Sequence, residues 1–111
     1  MSTVSNVVLV CSLTDGEDFI VPISTWLADN SFPPLSDLGR HAGGNKVLEC
    51  CLFASAFNYF SEDAFAQFIA SLPWGDLENV VLTIQPDEGP TRVWSFGALM
   101  MPLQREEAKL S

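Results

Sequence analysis

Short β-type runs and one clear helical stripe alternate along the chain. From Asn6 to Leu13 the residues Val7, Val8, Leu9, Val10 and Leu13 are aliphatic, most of them β-branched, which predicts a strand. Thr14-Asp15-Gly16 is expected to end it in a tight turn, because Asp-Gly accepts the positive φ of a hairpin. Phe19 to Val21 then predicts a short return strand closed by Pro22. Ile23, Trp26 and Leu27 recur at helical spacing, so a short helix is expected over 22–29 with proline in its first turn. Phe32-Pro33-Pro34 breaks the chain, and Leu35 and Leu38 before Gly39 predict one or two turns of helix.

Val47 to Ala56 is apolar on both alternating faces, with Glu49 among its odd positions. A central strand is the reading, and a buried helix is the alternative that periodicity leaves open. The strongest local signal follows. Ser61 stands at an N-cap position, Glu62 and Asp63 suit the positive end of the helix dipole, and Phe60 is placed to staple onto Phe65. Phe65, Phe68, Ile69 and Leu72 then form an i, i+3, i+4, i+7 stripe that Pro73 ends. Val80 to Gln85 and Thr91 to Phe96 alternate on either side of Pro86-Asp87-Glu88-Gly89-Pro90, which predicts a hairpin with a polar loop. The pattern fades at Gly97. One domain over 1–97 is expected, with a mobile tail over 98–111.

Strands mixed with helices in this order predict an α+β fold. The expected form is a mostly antiparallel sheet of four to five strands with two helices packed on one face, a two-layer sandwich. At 111 residues and 48% apolar composition, with eight Phe and three Trp, the chain can bury a core without disulfides or a structural metal.

Charge narrows the choice of function. Fourteen acids against five bases give a net charge of −9. Residues beyond Gly97 cancel among themselves, so the excess belongs to the folded part. Such a field repels phosphate backbones and anionic membranes and attracts basic proteins. Direct nucleic-acid binding and membrane contact are therefore not expected. The acidic loops mark a partner surface of Asp15, Glu17, Asp18, Asp76, Glu78, Asp87 and Glu88, with Trp74 as an aromatic anchor. Arg92 and Trp94, two apart on one strand, are expected to stack as a cation–π pair.

The three cysteines, Cys11, Cys50 and Cys51, are odd in number and two are adjacent, which suits free thiols in a reducing compartment rather than a disulfide framework. No basic leader precedes the first apolar run, and no run nears the ~20 residues of a membrane-spanning helix, so the cytoplasm is the expected location. Neither Cys-x-x-Cys nor His-x-x-x-His spacing occurs, and neither a metal nor a cofactor is expected.

Gly39-Arg40-His41-Ala42-Gly43-Gly44-Asn45-Lys46 is the nearest approach to a motif. Its glycines resemble a phosphate loop, but Asn45 intervenes before Lys46, no Ser or Thr follows it, and a strand rather than a helix comes next. Pairing with carboxylates such as Asp37 and Glu49 is the expected use of Arg40, His41 and Lys46, and a candidate anion loop is the alternative. His41 is the one histidine, so a Cys–His nucleophile requires a thiol beside it.

No catalytic set is assembled by these residues. The expectation is a small acidic, non-enzymatic module that recognises a basic protein. In size and charge it resembles inhibitor and immunity proteins, a likeness of class alone. Two alternatives stand beside it: a small ligand-binding domain or enzyme using Arg40, His41 and Lys46, and a self-associating structural protein, with a homodimer as its simplest form.

Overall fold

The computed structural model describes residues 4–97, and the tail expected over 98–111 lies outside the described residues. Five strands form one antiparallel sheet. The central strand is β1, Val4–Cys11. It is flanked by β3, Cys51–Asn58, and β4, Val81–Pro86, each antiparallel to it. The edges are β2, Ser36–Asp37, beside β3 and β5, Arg92–Ser95, beside β4, which gives the order β2-β3-β1-β4-β5. Among the described residues there are two α-helices, α1 over Leu13–Asp29 and α2 over Glu62–Ser71.

The largest departure from the sequence reading is α1. The expected turn, return strand and short helix are one helix of 17 residues. Ser12 caps it, its hydroxyl accepting the Asp15 N–H at 3.2 Å. Phe19, Ile20, Ile23, Trp26 and Leu27 recur at intervals of three and four and all pack into or against the core. That long stripe overrides Pro22, whose ring removes one helical bond in mid-helix without ending it.

Two smaller corrections concern the middle of the chain. The helical turns expected around Leu35 and Leu38 are instead the two-residue edge strand β2 and a 3₁₀ turn, Gly39–His41. The central run is a strand rather than a helix, but it begins at Cys51. Residues 47–50 precede it as irregular chain with Val47 exposed, so Glu49 lies outside the sheet.

The remaining elements follow their local signals. In α2, Phe60 meets Phe65 with ring centroids 5.1 Å apart, although Ser61 makes no side-chain cap bond. The hairpin joins β4 to β5 through a loop over 87–91 in which Gly89 takes φ +104°, a left-handed geometry that suits glycine.

Burial alternates along the strands. Val7, Leu9 and Cys11 of β1 are buried, whereas Val8 and Val10 are partly exposed. The buried set forms one cluster with Phe53 and Phe57 of β3, Leu82 and Ile84 of β4, Ile23 and Leu27 of α1, and Phe65 and Ile69 of α2. Trp26 links the helices, its ring 5.4 Å from Phe65 and 5.6 Å from Phe68.

Candidate interaction site

The end of the sheet where β1 stops collects most of the residues that carry charge or reactivity. Asp15 organises it. The residue is only 2% exposed, and its carboxylate accepts the backbone N–H groups of Gly75 and Asp76, each at 2.9 Å. The first turn of α1 is thereby tied to the loop between α2 and β4. Asp15 therefore does not belong to the partner surface drawn from sequence: it is an internal anchor with almost no exposed surface. The spacing Ser12-x-x-Asp15 is that of a capping box, a signal that the Asp-Gly turn reading hid.

Around this anchor Glu17, Asp18 and Glu78 are exposed and Asp76 is half-buried. Exposed Asp37 joins them from β2, where its carboxylate accepts the Gly39 N–H at 3.0 Å and holds the 3₁₀ turn. Trp74 is half-buried: its indole N–H donates to the Ile69 carbonyl at 2.7 Å and its ring meets Phe19 edge-on at 4.8 Å. It therefore clamps the end of α2 against α1. Asp87 and Glu88 are exposed in the β4–β5 loop at the opposite end of the sheet, so the sequence-drawn surface divides between two ends.

Two of the three thiols face one another across strands. Cys11 pairs in register with Cys51, whose thiol donates to the Leu13 carbonyl at 3.9 Å. Burial, reinforced by the nearby Cys51 and Asp15, pushes the Cys11 thiol up to about 12. Burial and the Asp37 charge also raise Cys51. Both are held protonated at neutral pH, which is the opposite of nucleophile activation. Gly16 lies directly on Cys51, since a β-carbon there would stand 2.2 Å from its sulfur. Beside them a shallow depression of about 260 Å³ runs between Leu13 and Asp37, floored by Cys50 and Cys51.

The candidate anion loop lies at this end as well, with Arg40 in the 3₁₀ turn and His41 and Lys46 exposed. Lys46 faces Glu49 at 3.7 Å, with both side chains largely in solvent. Neither His41 nor Lys46 lines the thiol depression. Among the described residues, no three His, Cys, Asp or Glu side chains gather as a metal site requires. No described helix is long and apolar enough to cross a membrane.

A second polar cluster lies at the start of α2. Arg92 donates to Glu62 and to Asp63, each at 2.8 Å, while its guanidinium carbon stands 4.8 Å from the centre of the Trp94 ring. The stacking expected from sequence is present. Ser5 hydrogen-bonds to the other oxygen of Glu62. This network joins β1, α2 and β5 and uses up both carboxylates.

No protein-family model, curated protein or solved structure matches the chain.

Proposed function

We propose that the protein is a non-enzymatic binding module whose acidic end, built around Glu17, Asp18, Asp37, Asp76 and Glu78, recognises a basic protein. The observation that carries this reading is the buried Asp15 anchor. It ties two acidic segments, α1 and the loop before β4, into one body, so their charges are held in place before a partner arrives. Preorganised negative charge steers a cationic partner and raises its association rate. The protonated Cys11 and Cys51 thiols favour recognition over covalent chemistry at this end.

The test uses the partner captured by the tagged chain. Its association rate is measured in about 0.05 M and about 0.5 M NaCl, where the screening length shrinks from ~14 to ~4 Å. A fall of at least about tenfold is expected. A similar loss is expected at low salt from combined Glu17→Gln, Asp18→Asn and Glu78→Gln. A rate that ignores both salt and these substitutions overturns the reading.

A further inference from the structure

On the sheet face turned away from the core no strand position carries a charged side chain, and the nearest carboxylate, exposed Glu49, lies beside Val10 at the rim. Strand register places Val8 and Val10 of β1, Leu52 and Ala54 of β3, Val81 of β4 and Val93 of β5 together on it. The remaining strand positions on that face hold only small aliphatic or neutral polar residues. Val93 is 61% exposed and the other five are exposed in part. A solvated antiparallel face ordinarily alternates toward polar and charged residues. In a chain with fourteen acids and five bases, a whole face without charge is the compositional mark of an interface core.

We propose that this face is an isologous dimer interface, covered by the same face of a second copy. Charge selects that occupant. A basic partner gains nothing on an uncharged surface, whereas two copies of net charge −9 can meet here with only Glu49, itself facing Lys46 at 3.7 Å, near the rim. Shape agrees, because valines and alanines leave a low surface that suits sheet-on-sheet packing about 10 Å apart with strands near −30°. The two-fold axis passes close to β1, the middle strand of the five.

At ~4.8 Å between strands and ~3.3 Å per residue, four strands offer roughly 20 Å by 20 Å. Total burial is then on the order of 1,000 Å², the lower limit of specific interfaces, which makes the dimer a weak one. Both acidic ends stay clear of the contact, so this inference stands independently of the proposed function.

Sedimentation equilibrium of the full chain from ~1 to ~300 µM tests it, those limits spanning the range over which a weak dimer fills. The expected result is a mass approaching twice the 12.1 kDa chain. Dimerisation is expected to strengthen between 0.05 and 0.5 M NaCl, at about those concentrations, because salt screens the mutual repulsion. That is the opposite sign to binding of a basic partner. Val8→Lys is expected to weaken the dimer at least about tenfold, and exposed Val93→Lys does the same with less risk to folding. A chain that stays monomeric at the highest concentration overturns the proposal. So does a dimer indifferent to both substitutions.

Discussion

Asp15 is the residue on which the acidic end turns. Replacing it with alanine leaves the Gly75 and Asp76 N–H groups without their acceptor, and two charge-assisted bonds in a nearly water-free position are lost together. Asp15→Ala is expected to lower unfolding free energy by about 2–4 kcal/mol in urea titration. Gly16 is constrained by contact rather than by backbone angle. Gly16→Ala forces a methyl group into the Cys51 sulfur and is expected to cost about 1–3 kcal/mol. Cys51→Ala removes the 2.2 Å contact but leaves the cysteine's β-carbon, 2.9 Å away, so the double variant recovers only part of the loss. A double-mutant cycle reads that coupling directly, and additive effects would refute the clash. Cys11 makes a pH prediction. Its folded thiol titrates at about 12 against 9.0 as its ordinary value. The folded state therefore keeps a proton that the unfolded chain releases. The associated stability is complete below pH 9 and is lost as pH rises toward 12, by up to about 1.4 kcal/mol per unit. Cys11→Val is expected to flatten that alkaline slope in denaturation curves collected across the window.

At the scale of elements, Arg92 is the bolt between β5 and α2. Removing it as Arg92→Met keeps much of the side-chain packing on Trp94 but leaves Glu62, whose side chain is 20% exposed, with Ser5 alone. The arm to Asp63 adds little, since that side chain is 79% exposed. A loss of about 1 kcal/mol is expected in thermal unfolding, and Asp63→Asn should cost visibly less. The elements differ in how far local sequence reveals them. In α2, the Phe65–Phe68–Ile69 stripe and the Phe60 staple lie within one short segment, and the β4–β5 hairpin carries its own Gly-Pro loop, so both were legible. In α1, Asp15-Gly16 and Pro22 are local signals for a turn and a stop that compete with the Ser12-x-x-Asp15 cap and the apolar stripe, and contacts distant in sequence add to the helix side. Gly16 is required by Cys51, and Asp15 bonds the loop at Gly75. Likewise β2 exists because Leu38 donates to the Leu52 carbonyl and Ser36 pairs with Ala54, neither of which the two-residue strand advertises. The acids of the candidate site were visible as residues. Their sorting into a buried anchor, an acidic end and a separate hairpin tip depended on the strand order.

For the whole molecule, the balance of charges predicts how salt acts on folding itself. The described residues hold twelve acids against Arg40, Lys46 and Arg92, so repulsive pairs far outnumber attractive ones. Folding brings these acids closer than they stand in the expanded chain, and the repulsion opposes the compact state. Added NaCl screens exposed charges whose separations exceed the Debye length, about 10 Å at 0.1 M. It acts less on Asp15, whose bonds are buried, and on the short Arg92 contacts to Glu62 and Asp63. Screening therefore removes more repulsion than attraction. Unfolding free energy is expected to rise by about 1 kcal/mol between 0.05 and 0.5 M NaCl, measured near 1 µM so that dimerisation adds little. A protein held together chiefly by surface ion pairs would show the reverse. A fall in stability with salt would mean that its carboxylates are compensated by cations within the fold, and the acidic end would lose the field on which recognition of a basic partner depends.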